Sequence, residues 1–334
     1  MTIANLWPEL EADEYSLTRG EWVVRRLHPE SLIDIRLGIG GRPSRRALLV
    51  TVEQSSLGRE CELPKGRGFE LVEALIAGCP RTHTTLAVTL TDQAYSEIFS
   101  TLLEDVVSHL LRAQTRACVA AELSTRLKVW QSFMEHSGPE GLTPEGQRGL
   151  YGELLFLKET MLRQLGPMRS LNAWVGPNGA QQDFQWQDRA CEVKTTTSKQ
   201  HQKIRIANEL QLDGRSVKIL WIYHLSLDAH RGAGNTLPDL IASVRSDLAN
   251  DPIVAGMFAL RLLEAGYHEV HAERYTDTGY SVRKATFYHV HDDFPCLTEL
   301  DLPNGVGDVS YTISLAACEK FEVDASVVHS DIGG

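Results

Sequence analysis

Residues 180–197 read AQQDFQWQDRACEVKTTT. Within them, DFQWQ and ACEVK alternate in the period of two that suits a half-buried strand, and the polar residues between suit a hairpin turn. With Asp188-Arg189 as a two-residue turn, Asp183 faces Lys194 and Gln185 faces Glu192. Alternation then places Asp183, Gln185, Glu192 and Lys194 on one face, and Phe184, Trp186, Cys191 and Val193 on the other. One face is polar and acidic; the other is core.

Two carboxylates beside a lysine on a rigid sheet form a hard-oxygen site of the kind that holds Mg²⁺, with an ammonium near enough to serve an attacking water. A phosphodiester demands that arrangement, because its hydrolysis needs a hydroxide-like nucleophile and compensation for charge developing on phosphate oxygens.

Upstream, Thr143-Pro144-Glu145 is a helix start: a capping hydroxyl, a proline at the first helical position and an acid near the positive end of the dipole. The helix GQRGLYGELLFLKETMLRQL should end at Gly166-Pro167, with Leu150, Leu154, Leu157 and Met161 as its apolar stripe. Glu153 falls on or beside that stripe. It either brings a third acid to the hairpin or sits at the stripe's edge as a solvated carboxylate.

The spacing of Asp183, Glu192 and Lys194, with Gly152-Glu153 on a preceding helix, resembles the PD-(D/E)XK nuclease superfamily. More narrowly, GLYGELLFL, AWVGPNGAQQDF and EVKTTT resemble a bacterial PD-(D/E)XK family whose members occur beside restriction and phage-defence genes. The similarity is strongest over residues 145–215. It implies an α/β (α+β) fold with an αβββα core around a mixed central sheet, flanked by an N-terminal α+β domain and a strand-rich C-terminal region. It further implies a metal-dependent DNA endonuclease in which Asp183 and Glu192 hold Mg²⁺, Mn²⁺ substituting, and act with Lys194 and Glu153. Gln211 is expected on the next helix, reaching toward the site. One departure is Gln182, which stands where the superfamily's name has proline.

The rest of the chain frames this core. At 334 residues, 43% hydrophobic and 23% charged, it is long enough for two or three domains. Three are expected: residues 1–112 as an α+β domain, 113–225 as a helical lead-in and the nuclease core, and 226–334 completing or flanking that core. Strands are expected at LIDIRLGIG, RALLVTVE and TTLAVTL, with FELVEALIAG as a short helix between them. Helical spacing begins near Gln93, and VKILWIYHLSL reads as a buried central strand.

The formal charge of −11 excludes a polybasic binder that embraces phosphate with its whole surface. Six scattered cysteines without a C-x-x-C pair argue against zinc knuckles and disulfide frameworks. No apolar run approaches the roughly 20 residues that span a bilayer, and MTIANLWPELEADEY lacks a signal-peptide pattern, so a cytoplasmic protein without membrane contact is expected.

Lys199, His201, Lys203 and Arg205 form a local positive cluster that either contacts backbone phosphate or is a solvated loop. GIGGRPSRR lacks the ending of a phosphate-binding loop and reads as a turn. His289, His291 and Asp293 lack a fourth ligand and read as a strand end. Cutting both strands calls for a homodimer or a complex with other defence-system proteins. The competing functions are a non-catalytic DNA-binding or assembly subunit, and a structure-specific repair nuclease.

Overall fold

The strand VKILWIYHLSL is the axis of the C-terminal half: as β10, Ile219–Arg231, it is buried over most of its length. The computed structural model describes residues 2–13, 22–40, 45–56, 65–76, 79–113 and 115–334, which divide into two compact units, Met1–Glu140 and Gly141–Gly334. Cys61 and residues 41–44 of the GIGGRPSRR turn lie outside the described residues.

The first unit opens with α1 (Trp7–Asp13) and builds an antiparallel sheet from β1 (Trp22–Leu27), β2 (Ile35–Gly40), β3 (Arg45–Glu53), β4 (Lys65–Gly66), β5 (Phe69–Ala74) and β6 (His83–Leu90), in the order β1-β2-β3-β6-β5-β4. Here FELVEALIAG departs from expectation: Phe69–Ala74 is a strand, not a helix. Phe69 and Leu71 are buried while Glu70 and Val72 are less so, and the segment pairs with β6 from Phe69↔Leu90 to Ala74↔Thr85. A short apolar run fits either period, and the open edge of β6 decides the matter by offering backbone partners. Helices α2 (Ser96–Leu110) and α3 (Val119–His136) follow. Asp105 joins them, accepting from Arg126 Nε at 2.6 Å and Trp130 Nε1 at 2.7 Å.

The second unit begins with α4 (Pro144–Phe156), where Thr143 Oγ1 accepts from Gly146 N at 3.1 Å. The helix continues through a π-helical stretch, Leu157–Met161, into α5 (Leu162–Leu165) and stops at Gly166, whose φ is 73°. Leu150, Leu154, Leu157 and Met161 are all buried. After α6 (Pro167–Ala173) come β7 (Phe184–Trp186), β8 (Arg189–Thr196), β9 (Lys203–Ile206), β10, β11 (Asn235–Thr236), α7 (Leu237–Leu248), α8 (Pro252–Glu264), β12 (Thr278–His289), β13 (Tyr311–Ser314), β14 (Glu322–Val323) and α9 (Ala325–Gly333). The central sheet runs β11-β12-β10-β8-β7; β10 is parallel to β8 and antiparallel to β12, so the sheet is mixed. It draws strands from both sides of residue 225.

One sheet face, carrying Phe184, Trp186, Cys191, Val193, Tyr223 and Leu225, packs in a single core with side chains of α4, α7 and α8. On the other, Ile222 and Tyr288 pack under Ile204, Ile206 and Ile313 of the β9–β13 ribbon. Among the described residues no helix is long and apolar enough to cross a membrane.

Candidate active site

The hairpin forms, but its turn lies one residue earlier than the sequence suggests. Trp186 pairs with Arg189, Gln185 with Ala190 and Phe184 with Cys191, leaving Gln187 and Asp188 as the turn, with Gln187 at φ 51°. Arg189 belongs to the strand because its Nε donates to Asp331 at 2.8 Å, while Lys218 N donates to the Asp188 carbonyl at 2.7 Å. Moving the turn by one residue slides the register by two. Gln185 therefore lies opposite Ala190 rather than Glu192, and the same register extended one position beyond the ladder sets Asp183 opposite Glu192 rather than Lys194. A slide of two preserves the side-chain alternation, so Asp183, Glu192 and Lys194 stay on one face.

Asp183 is fixed from two sides. Its Oδ2 accepts from Val193 N at 2.7 Å, and its backbone carbonyl accepts from Val175 N and Gly176 N at 2.9 Å each. Glu192 is 1% exposed; its Oε1 lies 2.7 Å from Lys194 Nζ, and its buried Oε2 has no hydrogen-bond partner among the described residues. Lys194 Nζ also donates to Gln211 Oε1 at 3.0 Å.

Glu153 reaches this group from α4, and the glycine before it explains how. A Cβ on Gly152 would lie 2.4 Å from Thr195 Cγ2 and 3.3 Å from Val193 Cγ1, so only glycine lets α4 rest this closely on β8. Glu153 Oε2 then accepts from Trp174 Nε1 at 2.8 Å.

The electrostatics follow from crowding acids in a dry place. Burial, reinforced by the Asp183 charge, raises Glu153 well above the usual carboxylate range. Burial also raises Asp183, against the pull of Lys194. Burial and the facing Asp183 push Glu192 up to about 8. Lys194 loses solvation on burial, but Glu192 and Asp183 outweigh that loss and raise it. The lysine is a firm cation among acids that disfavour simultaneous ionisation.

Two residues beyond the expected set shape the site. Gln182 is buried; its Nε2 donates to the carbonyls of Leu210 and Gln211 at 3.2 Å each, and its Oε1 accepts from Gln185 at 2.9 Å. It ties the start of β7 to the turn that presents Gln211, a short 3₁₀ segment (Glu209–Leu212) rather than a longer helix. Trp174 orients Glu153. The sequence signal for Gln182 was its place beside Asp183; for Trp174, an indole donor among apolar residues.

The basic cluster is not gathered with the carboxylates. Lys203 and Arg205 alternate with the buried Ile204 and Ile206 and point outward from β9, and Lys199 lines a cavity farther along the sheet with His201. In the first unit, Arg45 pairs with Glu70 at 2.8 Å and Arg46 with Glu11 at 2.7 Å. His289 ends β12 against Trp221, His291 lies 2.9 Å from Asp292, and Asp293 pairs with Lys320. Among the described residues no three His, Cys, Asp or Glu side chains are grouped to hold a metal. A cation between Asp183 and Glu192 would need further oxygens from water, as Mg²⁺ commonly has. The hard carboxylate donors and the orphaned Glu192 Oε2 fit such an ion.

A helix lying on a hairpin of a mixed sheet, with aspartate, glutamate and lysine on the hairpin's polar face, is the PD-(D/E)XK-type α/β fold. The chain matches, over residues 3–316, the family model described as "Putative PD-(D/E)XK family member, (DUF4420)", and it belongs to that family. No curated protein and no solved structure matches it.

Proposed function

We propose that the chain is a metal-dependent DNA endonuclease acting in restriction or phage defence. The observation that carries this reading is Glu192: a buried carboxylate under the charge of Asp183, bonded to Lys194 on one oxygen and, among the described residues, unpartnered on the other. A buried carboxylate left in that state costs stability, a cost in keeping with a group kept for a functional site. Asp183 and Glu192 would hold Mg²⁺, or Mn²⁺ in its place, and the ion supplies Lewis-acid chemistry when bound.

The protein's own residues account for the rest. Lys194 directs its ammonium where the attacking water and the scissile phosphate meet, compensating charge that grows in the transition state. Glu192 and Gln211 hold that ammonium in place. Glu153, raised by burial, keeps a proton or releases it as the positive charge nearby changes. Lys199, Lys203, Arg205 and Gln211 contact the nucleic acid, the cations through backbone phosphates. One site per chain acting on two strands calls for a homodimer or a partnered complex.

The test is cleavage of plasmid and linear duplex DNA with Mg²⁺, Mn²⁺ or chelator, for wild type and Asp183→Ala. Metal-dependent cutting abolished in the variant is expected. Binding without cutting would assign the chain to a non-catalytic DNA-binding subunit, and cutting of branched substrates alone would make it a repair nuclease.

A further inference from the structure

A cavity of about 580 Å³ opens on the same face of the central sheet as Glu192 and Lys194. Its position follows from register. His224 pairs with Lys194 and Ser226 with Thr196 across the parallel β8–β10 ladder, while Thr286 pairs with His224 and Lys284 with Ser226 across β10–β12. Paired residues share a face, so the cavity floor begins one strand over from Lys194 and continues along the sheet; strand positions two apart are only about 7 Å distant.

The floor is built rather than incidental. His224, Ser226, Thr286 and Tyr288 are each 2–4% exposed, yet all four line the cavity. His224 Nε2 lies 2.9 Å from Thr196 Oγ1, which fixes the ring. Burial, with Lys284 and Arg283 adding to it, depresses His224 to about 4, so at neutral pH the imidazole is uncharged and, with Nε2 engaged by Thr196, has Nδ1 as its remaining hydrogen-bonding nitrogen. Gln202 Nε2 donates to Ser226 Oγ at 2.6 Å and to the Ser198 carbonyl at 2.9 Å. The rim carries both signs: Lys199, with a side chain 80% exposed, and Lys284, which pairs with Glu322 at 3.2 Å.

These features select among ligand classes. A bare anion needs neither this volume nor the acids Glu319 and Glu322, which would repel it. A heterocycle with ring nitrogens and an exocyclic amine uses hydroxyls, a neutral imidazole and a carboxylate together, and a phosphate joined to it is served by an exposed lysine. The volume lies in the range of small-molecule sites.

We propose that this cavity binds one nucleotide, with its base against His224, Ser226 and Thr286 and its phosphate toward Lys199. The nucleotide is either free or swung out of a DNA strand whose neighbouring phosphate lies at Lys194. Only the second source rests on the nuclease reading.

The experiment reads binding without cutting, so a chain that never cleaves can pass and one that cleaves can fail. In one arm, each deoxynucleoside and ribonucleoside monophosphate is titrated by calorimetry. In the other, duplexes carrying 2-aminopurine are titrated in Ca²⁺, and fluorescence reports extrusion of the base. Wild type is compared with Ser226→Ala, Thr286→Val and the surface change Lys199→Glu, and the His224 ring resonances of wild type are followed by NMR. Saturable binding in one arm, weakened tenfold or more by a floor variant and by Lys199→Glu, with moving His224 resonances, is expected. A response in neither arm, a response equal in all variants, or His224 resonances that stay fixed at saturation would overturn the proposal. An effect of Lys199→Glu alone would also overturn it, making Lys199 a surface phosphate contact.

Discussion

Lys194 Nζ donates to Gln211 Oε1 over 3.0 Å although the two are 17 positions apart, and the same glutamine oxygen accepts from Ala207 N at 2.8 Å. Gln211 is thus held by the backbone of Ala207, four positions earlier, as it holds the lysine. Removing the ammonium and removing its holder should therefore differ in degree. Lys194→Ala is expected to lower single-turnover cleavage by roughly 10²-fold or more while DNA affinity in Ca²⁺ is largely kept, since a group acting in the transition state appears in rate. Gln211→Ala should lower cleavage by about tenfold, and the double variant should be no worse than Lys194→Ala. Cleavage by Lys194→Ala within about twofold of wild type would contradict the assignment.

Glu192 predicts how stability responds to pH. Its folded value of about 8 lies above the ordinary 4.5, so the folded state holds an extra proton between the two. Its contribution is fully present below about 4.5 and declines as pH rises through about 8. Without divalent cation, Glu192→Gln should melt higher than wild type near pH 8, and Mg²⁺ or Mn²⁺ should raise the melting temperature of wild type alone. Calorimetric melts across that range check both statements: parallel pH curves for the two proteins would contradict the proton held by Glu192, and an equal response to the metal would remove Glu192 from the metal site.

His224 has the opposite sign. Its folded value of about 4 lies below the ordinary 6.5, so the unfolded chain takes up the proton first as pH falls. Stability from the neutral ring is present above about 6.5 and is lost progressively toward about 4, on the order of 3 kcal/mol in all. Urea melts of wild type and His224→Asn at several values in that window should converge as the solution is acidified, because the asparagine variant has no imidazole to protonate.

Gly152→Ala tests the seat of α4. The added methyl would stand 2.4 Å from Thr195 Cγ2. The β-branched threonine has little freedom to turn away, so a loss of about 1–3 kcal/mol is expected. Thr195→Ser removes that methyl, and in the double variant it should recover much of the loss. A double-mutant cycle by urea denaturation measures the coupling; additive losses would mean that the two residues do not meet.

The hairpin's polar face was legible because side-chain alternation survives any even slide of register. The turn position was not, since it depends on Gln187 accepting positive φ and on Arg189 reaching Asp331, 142 positions away. The capped start of α4 and its stop at Gly166 were local signals and read correctly, whereas β5 was ambiguous because its short apolar run satisfied both periods. Glu153 could be placed near the stripe but not aimed, for its direction comes from Gly152 and Trp174. The cavity left no local trace: its floor comes from β10 and β12, and its walls from the loop after β8 and the segment after β13.

The β9–β13 ribbon has a consequence for the timing of synthesis. Arg205 and Ser310, whose side chains meet where its strands pair, are 105 positions apart, and Tyr311–Ser314 supplies the partner strand for Lys203–Ile206. A chain leaving the ribosome therefore carries Asp183, Glu192 and Lys194 for the whole of that interval before this side of the sheet can be roofed. A truncated product that stops short of β13 therefore holds every acidic and basic group of the centre but lacks the strand that pairs with β9 and the Ile313 that packs with Ile204, Ile206 and Ile222.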